Sequence, residues 1–109
     1  MFERRVLGVD PGVARLGLAV VDGRGRKAEL IWAGAVTTPA GGEEAERLLR
    51  LCVAVREAIT AHGPSAVAVE RIAWNRNQVS ALTVARVTGA VMVVAGRRAS
   101  PSPSTVPTR

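Results

Sequence analysis

Val6-Leu7-Gly8-Val9-Asp10 and Ala66-Val67-Ala68-Val69-Glu70 are two short apolar runs, and each ends in a carboxylate. Their length and β-branched content predict two buried strands with an acid at the end of each. An ionised carboxylate in apolar surroundings is costly unless it is paired or binds a metal. If the two strands are neighbours in a sheet, about 5 Å apart, both carboxylates reach one divalent cation or a pair of them. The alternative is structural. Pro11-Gly12 follows one acid and Arg71 the other, so each acid either caps a turn or pairs with an arginine.

Outward from the first run, Arg5 to Val9 reads as a strand and Pro11-Gly12 as a turn. Leu16 to Val21 reads as a second strand, closed by the Asp22-Gly23 turn signal. Glu29 to Val36, with Trp32 near its middle, completes an antiparallel meander. Thr37 to Gly42 is a loop, and Glu43, Glu44 and Glu46 then place negative charge where a helix N-terminus favours it. Leu48, Cys52, Val55 and Ile59 recur at helical spacing until His62-Gly63-Pro64 ends the segment, with His62 as a helix-terminal residue rather than a ligand. The run from Ala66 to Glu70 is apolar on both faces, which suits a central strand. The helix before it is a right-handed crossover by the general rule. Asn75 to Asn77 form a polar turn. Val79 to about Gly96 gives a second helix with Leu82, Val87, Ala90, Val91 and Val94 on a broad apolar face. That face is core, or in part a subunit interface, and Gly89 permits close approach of another backbone.

A chain of 109 residues with 48% apolar content supports one α/β domain with a modest core. The formal net charge is +6, and among the 15 basic residues only Lys27 is a lysine. Arginine grips phosphate bidentately, so the balance points to a polyanionic partner, with the arginine bias of a GC-rich gene as the alternative. The single cysteine, Cys52, rules out an internal disulfide and reads as a core thiol of an intracellular protein. No apolar run approaches a membrane span and no signal peptide is evident, so the expectation is a soluble, cytoplasmic protein with no membrane role. From Arg97 to Arg109 the sequence turns to Ser, Pro, Thr and Arg, as in a disordered tail or an out-of-frame reading. The expected division is therefore a domain over 1–96 and a tail over 97–109.

Gly8-Val9-Asp10-Pro11-Gly12, then Gly17-Leu18-Ala19-Val20-Val21, then Val69-Glu70-Arg71-Ile72-Ala73-Trp74-Asn75-Arg76-Asn77 before a helix, resembles the RuvC family of Holliday-junction resolvases over about Arg5 to Gly96. The resemblance implies a ribonuclease H-like mixed sheet in which strands one to three are antiparallel and strand four runs parallel to strand one, with flanking helices. It implies a structure-selective endonuclease that cuts four-way DNA junctions by metal-dependent phosphodiester hydrolysis in recombination and repair. Asp10 and Glu70 are then catalytic acids and metal ligands, for magnesium or manganese. Gly8 and Ala68, two residues before each acid on the same strand face, leave room for ions and for a DNA backbone. Arg71, Trp74, Arg76 and Asn77 fall in the family's DNA-binding loop. The family carries an aromatic wedge three residues beyond the glutamate; here Ala73 holds that place and Trp74 follows, to stack on a base or to pack on the second helix. Asn77 either faces phosphate or caps that helix. The resemblance also implies a homodimer and a complex with a branch-migration helicase.

Family members continue with another strand and a final helix that bring further acidic ligands, whereas no Asp or Glu follows Glu70 here. The expectation is a truncated or frame-shifted chain with its C-terminal part missing and its cleavage impaired. Two other readings stand beside the enzyme. One is a catalytically inactive remnant that still folds, dimerises or binds DNA. The other is a YqgF-like relative or an actin-like phosphate-binding module, which share an Asp turn followed by Gly-x-Ala-Val.

Overall fold

The computed structural model describes residues 3–70 and 78–98. In chain order these are β1 (Glu3–Asp10), β2 (Arg15–Arg24), β3 (Lys27–Thr37), α1 (Glu44–His62), β4 (Ala66–Val69) and α2 (Gln78–Arg98). The strands form one mixed sheet in the order β3-β2-β1-β4. β1 pairs antiparallel with β2, β2 antiparallel with β3, and β1 parallel with β4. The mixed sheet that the family resemblance implies is the sheet found. Within it β1 and β2 are interior and β4 lies at an edge, where an all-apolar sequence had suggested a central place. The apolar character of β4 comes instead from α1 and α2, which cover Val67 and Val69.

The core lies on one face. Leu7 and Val9 of β1, Leu16, Leu18 and Val20 of β2, and Val67 and Val69 of β4 pack beneath Leu51, Val55, Ala58 and Ile59 of α1 and Val87, Val91 and Ala95 of α2. Each fully buried aliphatic side chain contributes about 1.5–3 kcal/mol. The other face carries Gly8, Gly17, Ala19, Ala33, Ala35 and Ala68, none of them buried, and among the described residues nothing covers it. The strand alternation that buries leucine and valine on one side therefore lays a floor of small residues on the other.

α1 begins with Glu43 in an extended conformation and with Glu44 and Glu46 in its first turn, as the acidic run predicts. It ends on Gly63, whose left-handed φ of 58° lets its N–H donate to the Ile59 carbonyl. Glycine meets that conformation without penalty. His62, the last helical residue, stacks on Trp32 with ring centroids 5.1 Å apart.

Four further expectations change. β2 runs straight through Asp22-Gly23, and the turn falls at Gly25-Arg26, with Gly25 at φ 61°. Asp22 is held in the strand because it pairs with Arg5 of β1, whose Nε and Nη2 donate to its carboxylate at 2.7 and 2.9 Å. The Arg5 guanidinium holds the Asp22 carboxyl below its ordinary pKa, first through that hydrogen bond. Cys52 is half-buried at the margin of the core, which is centred on Leu51, Val55, Ala58 and Ile59; desolvation pushes its thiol pKa up. In α2, Leu82 points outward at 51% exposure and Ala81 takes its place inside. α2 also extends to Arg98, past Gly96.

Candidate metal centre and nucleic-acid interface

The parallel register of β1 on β4 decides the site. Gly8 sits opposite Ala68 and Val9 opposite Val69, so the next pair along is Asp10 and Glu70. The ladder continues one step past β4, because the Glu70 N–H donates to the Val9 carbonyl at 3.1 Å. Both acids leave the sheet at the same end. Their carboxyl groups meet there: a side-chain hydrogen bond with Asp10, followed by its like charge and then by desolvation, raises the Glu70 pKa above its ordinary value. Two carboxylates this close repel when both are ionised.

Both acids are exposed, which corrects the premise that they sit in apolar surroundings. The apolar residues before each belong to the core face, and the acids stand at the rim beyond it. What brings them together is register rather than burial.

Around Asp10 the sheet is stripped of bulk. Gly17 of β2 pairs with Asp10, and a Cβ added there would lie 3.4 Å from the Asp10 Cβ. The uncovered sheet face forms a groove of about 450 Å³ whose lining includes Gly8, Asp10, Arg15, Gly17, Ala19 and Ala35. The turn after Asp10 is tight: a Cβ on Gly12 would come within 2.5 Å of the Arg15 carbonyl oxygen. Its far side is tied down by Thr38, the one buried polar side chain among the described residues. The Thr38 N–H donates to the Ala14 carbonyl at 3.0 Å, and its hydroxyl donates to the Val13 carbonyl at 2.6 Å. Arg47 Nε, from the first turns of α1, donates to the same hydroxyl at 2.8 Å.

Hard, anionic oxygens at a single point suit magnesium or manganese, and magnesium is commonly held by one or two carboxylates with waters and substrate phosphates completing its shell. The donor set therefore fits one such ion. Among the described residues no cluster of three or more Asp, Glu, His or Cys side chains is placed to hold a metal. Of the other residues singled out in the sequence, Arg71, Trp74, Arg76 and Asn77 lie outside the described residues. Arg15, Thr38 and Arg47 escaped the sequence reading. Thr38 lay in a segment read only as a loop, and Arg15 gains its meaning from a strand register that sets it two residues from Gly17, the partner of Asp10.

The family model described as crossover junction endodeoxyribonuclease RuvC matches residues 6–106. A curated relative of that description from Saccharopolyspora erythraea is 44% identical over 98 residues, covering 89% of this chain and 49% of the relative. The structure of T. thermophilus RuvC in complex with Holliday junction substrate superposes with a TM-score of 0.82 at 33% identity, covering 97% of this chain and 62% of that one. The Fowlpox virus resolvase bound to Holliday junction DNA, at 14% identity and a TM-score of 0.52, shares the fold. That fold is ribonuclease H-like. The chain spans about half the length of the curated relatives it matches.

Proposed function

Since the chain belongs to the RuvC family of crossover junction endodeoxyribonucleases, we propose that it is a structure-selective endonuclease acting on Holliday junctions in DNA recombination and repair. Asp10 and Glu70 are its catalytic, metal-binding acids. The observation that carries this reading is the meeting of the two carboxyl groups at the ends of parallel β1 and β4. A magnesium ion, or manganese in its place, held by Asp10 and Glu70 would supply an activated water and charge neutralisation at the departing oxygen of the phosphodiester. Asp10 and Glu70 would hold and orient that ion. Gly8, Gly17 and Ala68 keep the approach clear for a sugar-phosphate strand.

Arg71, Trp74, Arg76 and Asn77 are the proposed DNA-binding residues on the motif they share with the family. The proposed assembly is a homodimer built on α2. Its outer stripe of Leu82, Met92 and Val93 is exposed by 51, 45 and 59%, and a Cβ on Gly89 would meet nothing within 4 Å. Apolar surface of this kind marks an interface. The cytoplasm and a branch-migration helicase partner belong to the same reading.

The test is a labelled four-way junction incubated with the protein and magnesium or manganese, beside Asp10→Asn and Glu70→Gln. Paired nicks that need the metal and both acids support the reading. Nicking that persists in either variant removes the assignment. Junction binding without any nicking by the unaltered chain favours the non-catalytic alternative.

A further inference from the structure

We propose that Arg15 is a positioning residue that grips a phosphate of the DNA strand lying over the Asp10–Glu70 pair. The inference rests on the junction-binding reading above. Arg15 opens β2, and strand alternation decides which way it faces. Leu16, Leu18 and Val20 are buried in the core, so Arg15 and Gly17 share the uncovered face. Gly17 is the partner of Asp10. Arg15 therefore stands one step along the same face, about 7 Å from Gly17, and lines the groove that holds Asp10. A guanidinium on its flexible stem spans that interval.

The charge has no other use visible in the fold. Arg15 is exposed. The arginines that do structural work are engaged: Arg5 with Asp22, Arg47 with Thr38, and Arg86 with Glu44. Among the described residues Arg15 shows no ion pair or side-chain hydrogen bond. Two acids at the groove's end repel a polyanion, so a cation beside them is needed to bring phosphate close, and a planar fork binds two phosphate oxygens at once. The neighbouring floor of Gly8, Gly17, Ala19 and Ala35 presents no side chain long enough to hold the strand away.

The experiment is a fluorescence-anisotropy titration of a labelled four-way junction in chelator, so that no strand is cut, over a series of salt concentrations. The proteins are the full chain and its Arg15→Gln, Arg15→Lys and Arg56→Gln variants. Arg56 is exposed on α1, which packs on the opposite face of the sheet, and its loss removes the same charge. Arg15→Gln is expected to weaken binding about tenfold at low salt and to reduce the slope of log affinity against log salt by about one. Arg15→Lys restores the slope, and Arg56→Gln keeps that of the unaltered chain. An unchanged slope in Arg15→Gln, or an equal loss in Arg56→Gln, overturns the inference while leaving junction binding intact. No junction binding by the unaltered chain overturns the underlying reading and this inference with it. Loss of folding in Arg15→Gln would make Arg15 structural and would also overturn it.

Discussion

Replacing Thr38 by valine keeps the shape of a buried side chain and removes only its hydroxyl, so the loss measures what that hydroxyl does. Two hydrogen bonds disappear. The Val13 carbonyl, reached at 2.6 Å, loses its donor, and Arg47 Nε, at 2.8 Å, loses its acceptor. The first is a neutral bond, worth about 0.5–1.5 kcal/mol net, and the second a charge-assisted one, worth about 1.5–3 kcal/mol. Arg47 is half-buried and regains water when released, which cancels much of the second contribution. The expected cost is therefore about 2 kcal/mol, which for a domain of this size lowers Tm by about 8–16 °C. Thr38→Ser keeps both bonds and loses one methyl, at about 0.8 kcal/mol. Thermal and urea unfolding of Thr38→Val, Thr38→Ser, Arg47→Met and the double variant Thr38→Val/Arg47→Met give the cycle. The first two should differ by about 1 kcal/mol, and the threonine and arginine changes should be less than additive. Equal stability of the valine and serine variants, or strict additivity in the cycle, would refute the idea that this buried hydroxyl anchors the turn behind Asp10.

Asp10→Asn alters the hydrogen bond, and removes the like charge, by which Asp10 raises the Glu70 pKa. A raised folded-state pKa for an acid means stability that is present below its unfolded value and is lost as pH rises through the folded one. The variant should therefore match the unaltered protein in acid and melt at a higher temperature at neutral pH, as a pH series of melting curves would show. Gly12→Ala forces a Cβ to within 2.5 Å of the Arg15 carbonyl; it should cost about 1–3 kcal/mol and weaken binding of manganese at the adjacent acid. In Gly34→Ala the new methyl would lie 2.7 and 2.8 Å from the Trp32 ring, so the ring must leave its stack on His62, and nuclear Overhauser contacts between the two rings should vanish.

The order of elements and the acid at the end of each strand were legible because they depend on local pattern. Apolar runs, the acidic start of α1 and the Gly63-Pro64 stop each act over a few residues. What escaped depends on register. Asp22-Gly23 is a good turn signal in isolation, and only the pairing of Arg5 with Asp22 across β1 and β2 shows why the strand continues through it. The same register pairs Gly17 with Asp10 and so sets Arg15 one step along the face from it. Leu30 and Ile31 of β3 are large apolar residues, yet they are exposed by 62 and 38%. A bulge opposite Val20 and Val21 shifts the pairing by one residue and resets which side faces the core. Leu82 points outward for a comparable reason: a broad apolar helix face does not say which of its edges meets the sheet. The network of Thr38 and Arg47 joins a loop to a helix nine residues on, and no periodic pattern marks it.

The central claim is that Asp10 and Glu70 together hold a divalent cation, and manganese binding followed by electron paramagnetic resonance tests it without reliance on activity. Free manganese should be depleted by the unaltered chain with a stoichiometry of one ion, and more tightly as pH rises through the Glu70 pKa, which Asp10 raises, because the ion binds the ionised carboxylate. Asp10→Asn and Glu70→Gln should each abolish that depletion while remaining folded. Manganese bound equally well by either single-acid variant would contradict the account, because the ion would then not be shared between the two carboxylates.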